Sequence, residues 1–428
     1  MRAVVQVAVL ATMAAACMRA AEPVTFNRDI FPILQKRCQS CHRPGQIGPM
    51  PLMTYAQVRP WAKAVRDAVK LKKMPPWFVD ASFAETSHGG FTNNPSLTPD
   101  EKIAIDAWVE GGALEGSKKE TPKVARRTEG WNTSPDIVIG MPKPFAIPAK
   151  KAVDYQYVIL PSHFTYDRWV TQVEVKPSNF KLVHHAVLFV RPAGSPWLRD
   201  AKPGEMYAPP ASDREAVRKS RETQEDILTV YTPGSAAAVF PTGMAKRIPA
   251  GADLVLQIHY TALDVDASDQ TEIGLVVTQD KPKMQIVTLQ MGRDDLVIPA
   301  GESSYRASVS GILPGDALLV NLFPHMHLRG SAFEYAIVAP EGRVDTLLRV
   351  KPFDFQWQLT YWFKTPIPLK KGTRLRWTGW FDNSKNNPRN PDPSVEVHWG
   401  EQSWEEMMIG FFDVAIETDS DKRKFFVR

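Results

Sequence analysis

The chain has 428 residues, 43% of them hydrophobic and 23% charged, a globular balance that excludes bulk disorder and leaves room for roughly three domains. With 52 Lys and Arg against 47 Asp and Glu, the net charge is +5, too thin over this length to argue for a nucleic-acid partner. The three cysteines exclude a disulfide framework in any compartment. Prolines number 36, glycines 25 and tryptophans 12, which suits short strands between fixed turns better than long helices.

Residues 1–21 read as a secretory signal. Arg2 supplies the positive start, Ala3 to Cys17 is apolar apart from Gln6 and Thr12, and small residues follow. The run is shorter than the about 20 residues of a bilayer span; a buried N-terminal helix is the plainer alternative. Cys17 follows three alanines, but Ala14 stands where a lipoprotein acylation site usually has a larger aliphatic residue. A lipid anchor there is the second reading, and loss with the signal the first. No later stretch reaches about 18 uninterrupted apolar residues. The mature chain is therefore expected to be periplasmic or secreted, with no transmembrane span.

Cys38-Gln39-Ser40-Cys41-His42 is a CxxCH motif. Two thiols at this spacing can form thioethers to both haem vinyl groups from one turn, and the adjacent His42 reaches the iron from the same side. A zinc half-site would want another Cys or His pair nearby, and no cysteine follows Cys41. A redox dithiol would want a βαβ frame, whereas the flanks look helical. Export fits a haem attached outside the cytoplasm, so covalent haem c is the expectation.

The flanks add to this. Asn27-Arg28-Asp29 precedes the apolar run Ile30 to Leu34, and Ala56 to Leu71 has helical spacing through Val58, Trp61, Ala64, Val65 and Val69. Thr98 as N-cap, Pro99 at N1 and Glu101 at N3 open a second helix, which Gly111-Gly112 ends. On these features residues 22–117 resemble a small, all-α class I cytochrome c domain. The resemblance implies a thioether as sixth iron ligand, which raises the reduction potential. Met50, Met53 and Met74 are candidates, and a core-filling role competes for each. Met74, in Lys72-Lys73-Met74-Pro75-Pro76-Trp77 between the helices, matches where such cytochromes present their axial methionine, with Met50 in reserve. His88 reads as a polar loop residue. Residues 118–135, rich in Lys, Arg, Thr and Pro, read as an exposed linker.

From Asp136 the pattern changes to short β-branched and aromatic runs between Pro/Gly turns, such as Tyr155 to Leu160, Trp169 to Val175, Leu254 to Tyr260 and Leu318 to Leu322. This predicts two all-β sandwich (jelly-roll-like) domains, 136–284 and 285–428, because the stretch is too long for one. A helical insert is expected within Pro210 to Leu228. Of nine histidines, five fall in three strand contexts: His184 and His185 in Lys181 to Phe189, His259 in Leu256 to Tyr260, and His325 and His327 in Phe323 to Leu328. Residues i and i+2 share a strand face, so His325 and His327 can point at one ion. His184 and His185 diverge on a regular strand and converge only at a strand end or bulge, or through different ring nitrogens. A lone strand histidine is more often core or surface; the doublet, the H-x-H and His259 together favour a metal. Imidazoles with a soft thioether favour copper over magnesium or calcium, and Ser403 to Phe412 holds the thioether candidates.

HH in a strand, then LQIHY, H-x-H and E-E-M, in that order, resembles the copper type II, ascorbate-dependent monooxygenases, the family of peptidylglycine α-hydroxylating monooxygenase and dopamine β-monooxygenase. The resemblance covers residues 136–428. It implies two copper ions across a solvent-filled cleft. His184, His185 and His259 would hold the electron-transfer copper. His325, His327 and Met407 would hold the oxygen-binding, catalytic copper, Met407 being preferred to Met408 because it directly follows the acidic pair. It also implies O2, a small organic substrate hydroxylated at a C–H bond, and an electron donor, ascorbate or a redox protein. With a haem domain fused in front, electrons are expected to pass from haem c to the His184/His185/His259 copper.

The departures narrow this. No cysteine follows Cys41, whereas animal members are laced with disulfides, so stability must come from core packing. Phe411 lacks the hydroxyl of an aromatic that helps seat the peptide substrate in the peptide enzyme, and Phe323 stands in place of a basic residue. Peptide and catecholamine substrates are therefore not implied. His163 and His398 match no ligand motif; Trp357, Trp362 and Trp404 either line the cleft or pack in a core. The competing reading is a periplasmic electron-transfer or copper-binding protein without oxygenase activity. A third makes the cytochrome a docking module for a respiratory complex, through Lys72, Lys73 and Trp77.

Overall fold

The computed structural model describes residues 22–44, 46–80, 88–123, 130–151, 153–210, 212, 226–261, 263–422 and 425. The expected signal segment and Cys17 lie outside them, as do residues 213–225 of the expected helical insert. The end of that insert is not helical: Asp226 to Leu228 open the strand Asp226–Tyr231. No described helix is long and apolar enough to cross a membrane.

The helices gather at the N-terminal end. A π-helical turn, Phe26–Ile30, runs into α1 (Phe31–Arg37). α2 (Tyr55–Val58) and α3 (Ala62–Lys70) follow, then α4 (Pro99–Glu110). α4 starts as its sequence dictates: Glu101 N–H donates to Thr98 Oγ1 at 3.2 Å and Thr98 N–H to Glu101 Oε2 at 2.8 Å. Glu101 also pairs with Arg37 at 3.0 Å, tying α4 to α1. The single helix expected over 56–71 is broken by a 3-10 turn at Arg59–Trp61. Pro60 has no amide to donate there, and the rotation leaves Trp61 46% exposed instead of on the buried face. Phe26, Leu34, Val58, Val65, Ile105 and Trp108 form the core of this part.

The rest is sheet, because its apolar residues alternate. A nine-stranded sheet runs in the order Ile137–Gly140, Glu272–Thr278, Arg168–Lys176, Met244–Ile248, Met284–Gly292, Met408–Glu417, Ala317–Met326, Tyr361–Leu369, with Ala238–Val239 beside Arg168–Lys176. All its pairs are antiparallel except Met244–Ile248 with Met284–Gly292, the parallel seam between the two halves. A five-stranded sheet (Met206–Tyr207, Gln156–Pro161, Asp253–Tyr260, Val183–Arg191, Asp226–Tyr231) covers the first half. A four-stranded sheet (Tyr305–Ile312, Arg374–Phe381, Gly330–Val338, Val344–Val350) covers the second. The central strands serve both cores. In Met284–Gly292, Val287, Leu289 and Met291 face the second core while Ile286 faces the first.

Two connections are tighter than the sequence suggests. Residues 130–135 are docked, not a free linker: the backbone amides of Asn132 and Thr133 donate to the Glu174 carboxylate at 2.9 to 3.0 Å, and Lys176 Nζ sits 4.2 Å over the Trp131 ring. The stretch after α3 is stapled to the second half. Val79 bridges Val350, Phe91 bridges Phe363, and the Trp77 ring lies 4.9 Å from that of Tyr361. Trp77 is thereby half-buried and engaged inside the chain.

Candidate metal centres

The first histidine set is made by a strand irregularity. Asp253–Tyr260 pairs antiparallel with Val183–Arg191, and His259 stands directly opposite His185. The register then jumps from His259/His185 to Tyr260/Val183, leaving His184 as the extra residue. This bulge turns two adjacent side chains toward one point, which a regular strand forbids. The three ring centroids lie 5.1 to 5.4 Å apart, and one ligand atom from each falls within 4.8 Å of the others. Burial pushes every ring down: His184 below its ordinary value, His185 well below, His259 to about 4. Gln356, beside His184, works weakly the other way. His184 Nε2 and His259 Nδ1 are buried without a hydrogen-bond partner of standard geometry. Buried imidazole nitrogens rarely go unsatisfied, and the neutral ring is the form that binds metal. The set thus fits a metal ion. Tyr155, stacked 4.8 Å over His259, escaped the sequence reading because it belongs to no ligand motif.

His325 lies in Ala317–Met326 and His327 just beyond its end, their rings perpendicular with centroids 5.2 Å apart. His325 Nδ1 donates to Gln358 Oε1 at 2.7 Å, which leaves Nε2 for a ligand bond. Both nitrogens of His327 are buried without a hydrogen-bond partner of standard geometry. Burial lowers His325 to about 4 and His327 well below its ordinary value. Met407 faces the same space, whereas Met408 is buried in the second core, where a Cβ on Gly379 would stand 3.2 Å from its sulfur. The acid before Met407 is a clamp. The fully buried Glu406 carboxylate accepts from the backbone amides of His327 (2.5 Å), Arg329 (2.9 Å) and Met407 (3.0 Å). Burial pushes it up to about 7 against these amides, which favour its anion.

His184, His185, His325, His327 and Met407 all line one cavity of about 310 Å³, with Phe323, Ile409 and Phe411 on its wall. The two sets are close neighbours across it: the Phe355 ring lies 5.1 Å from that of His184 and 6.2 Å from that of His327. Of the tryptophans considered for a cleft, Trp404 is 61% exposed and Trp362 packs on Phe240, while Trp399, unnoticed in the sequence, lines the cavity. His398 is exposed beside Glu396, as is His163. His88 lies in a loop, as expected, with Nε2 3.4 Å from an Asp345 carboxylate oxygen.

In the CxxCH motif, the amides of Cys41 and His42 both donate to the Cys38 carbonyl, at 3.1 and 2.9 Å, so the motif forms one turn capping α1. Both thiols are free. Burial pushes the Cys38 thiol up to about 12 and the Cys41 thiol upward. His42 Nδ1 donates to the Met50 carbonyl at 3.1 Å, leaving Nε2 for an axial bond. Gly48 passes so close that a Cβ there would meet Cys41 O at 2.7 Å and His42 Nδ1 at 2.8 Å. These residues fit a covalently held haem. Met74 is half-buried between α3 and α4.

No family model matches the chain, and no curated protein does. Among solved structures, the chain has 8% identity and a TM-score of 0.18 to one titled as the infectious bursal disease virus Gx strain, over 70% of this chain and 77% of that one. It has 7% identity and a TM-score of 0.16 to the VP2 subviral particle of the same virus, over 71% and 77%. An oxalate decarboxylase variant from B. subtilis gives 8% and 0.11, over 65% and 87%. Likenesses this low carry no argument.

Proposed function

We propose that the chain is an exported haem- and copper-dependent monooxygenase that hydroxylates a C–H bond of a small organic substrate with O2. In this reading a class I cytochrome c domain precedes two β domains of the copper type II, ascorbate-dependent monooxygenase kind. The observation that carries it is that residues of two histidine sets, His184 and His185 of the first and His325 and His327 of the second, line a single cavity together with Met407.

When bound, copper supplies one-electron exchange and the activation of O2, and haem supplies a one-electron store. The chain supplies the rest. His184, His185 and His259 would hold the electron-transfer ion. His325, His327 and Met407 would hold the catalytic ion, where a soft thioether favours the reduced state. Gln358 fixes the His325 tautomer, and Glu406 fixes the backbone on which His327 and Met407 stand. Phe323, Ile409 and Phe411 exclude water and suit an apolar substrate portion, while Gln290 offers hydrogen bonds. Cys38 and Cys41 would carry the thioethers and His42 the proximal bond. Met74 would supply a thioether ligand, with Met50 in reserve. Tethering keeps donor and acceptor at high local concentration, whatever ascorbate-like reductant or redox protein reduces the haem.

Metal analysis and oxygen uptake over a panel of C–H substrates test this, with Met407→Ile as the blank. Two coppers and one haem iron per chain, with uptake matched by hydroxylated product and absent in the blank, support the enzyme. One copper or none, or uptake unaffected by Met407→Ile, leaves an electron-transfer or copper-binding protein instead.

A further inference from the structure

Four consecutive residues, 355–358, with Phe355 and Gln358 buried, Trp357 half-buried and Gln356 exposed, reach toward every redox site assigned above. At one end is the CxxCH motif. Gly234, with φ +81°, forms a turn where a Cβ would stand 3.2 Å from the Trp357 ring and 3.4 Å from Cys41 Sγ. Trp357, the Gly234 turn and the second haem-attachment thiol therefore meet at one point. Thr232 Oγ1 donates to the Gln358 carbonyl at 2.7 Å, fastening this turn to the same segment. At the other end are both histidine sets. Gln358 Oε1 accepts from His325 Nδ1 at 2.7 Å, Phe355 stacks on His184 at 5.1 Å and meets His327 at 6.2 Å, and Gln356 stands by His184. The segment is held in place: Trp357 N–H donates to Asp354 O at 2.9 Å, and Asp354 pairs with Arg389 at 2.8 Å. Phe355 and Gln358 are only 6% and 4% exposed.

We propose that segment 355–358 is the electron bridge from the haem to the His184/His185/His259 copper, with Trp357 as its haem-side contact. The proposal rests on the function given above and deepens it. Electron transfer falls off exponentially with the gap to be crossed, and a half-buried aromatic ring that flanks the Gly234 turn together with the Cys41 thiol, two residues from the Phe355 ring stacked on His184, shortens that gap. The step is a single electron: ferrous haem becomes ferric, cupric copper becomes cuprous, and no bond or proton changes hands. None of the four residues belongs to a haem or copper ligand motif, so the role follows from their placement alone.

The test uses the full chain loaded with haem and copper, without oxygen or substrate. The haem is reduced by a fast pulse, its reoxidation is followed by absorbance, and the loss of cupric signal is followed by electron paramagnetic resonance. Trp357→Leu is expected to slow haem reoxidation by at least about tenfold, equivalent to about 1.4 kcal/mol of barrier, and Trp357→Phe by less. Haem content, haem potential, copper content and the cupric spectrum should stay unchanged in both. Trp362→Leu, on a ring outside the segment, should leave the rate alone. If Trp357→Leu does not fold, the graded fall must still appear between wild type and Trp357→Phe. Unchanged rates in the Trp357 variants with both cofactors loaded overturn the bridge and leave the monooxygenase reading intact. Wild-type protein that binds no haem or copper, or whose reduced haem never reduces copper, overturns the relay itself.

Discussion

Glu406 shows how much one side chain decides at the second histidine set. Its two oxygens serve three backbone amides, two of them belonging to the proposed ligands His327 and Met407. Glu406→Gln turns one acceptor oxygen into a donor and strands at least one buried amide. The expected cost is about 1–3 kcal/mol of stability, with copper lost from this set first; chemical denaturation and copper counts check it. The histidines give a pH dependence. His259 and His325 drop to about 4 when folded, from an ordinary 6.5. Below 6.5 the unfolded chain binds protons that the folded chain refuses. Stability of the metal-free protein is therefore full above about 6.5 and falls steadily as pH drops toward about 4. A melting temperature that stays flat across that window would show the rings to be already charged or exposed.

At the scale of elements, irregularities do the positioning. The His184 bulge, the Pro60 break between α2 and α3, and the Gly48 loop under the CxxCH turn all depart from regular geometry. The strand patterns and the α4 capping box were legible because they depend on neighbours within a few residues. The bulge was legible only as one of several ways for adjacent histidines to converge, since its position depends on pairing with a strand about 75 residues away in sequence. Gly48→Ala places a Cβ within 2.7 Å of Cys41 O and 2.8 Å of His42 Nδ1. It is expected to cut the fraction of chains carrying haem several-fold and to perturb the haem absorption of the remainder, while copper binding persists.

Across the whole molecule, the two β halves are joined by shared strands and by a buried polar knot at their seam. Lys246 Nζ donates to Ile227 O, Thr288 Oγ1 and Asp413 Oδ1 at 2.8 to 3.1 Å, and Asn321 Nδ2 to Asp413 Oδ2 at 2.8 Å. Lys246→Met strands the Asp413 charge and is expected to cost about 3–5 kcal/mol. Adding Asp413→Asn should recover part of the loss, as a double-mutant cycle in urea would measure. Both halves should melt together, because Met284–Gly292 and Met408–Glu417 contribute to each core.

The sequence by itself determined what short-range chemistry encodes: helices before strands, a CxxCH turn, and histidines spaced for metal in three strands. Only the tertiary structure decided what depends on distant segments meeting: one cavity shared by both histidine sets, Met407 on its wall with Met408 in the opposite core, and Trp77 held against the second half. It also set residues 355–358 between the thiols and the imidazoles. The physical reason is register and packing. A strand's pattern says which residues share a face, but the partner strand and the layer above it determine what that face meets.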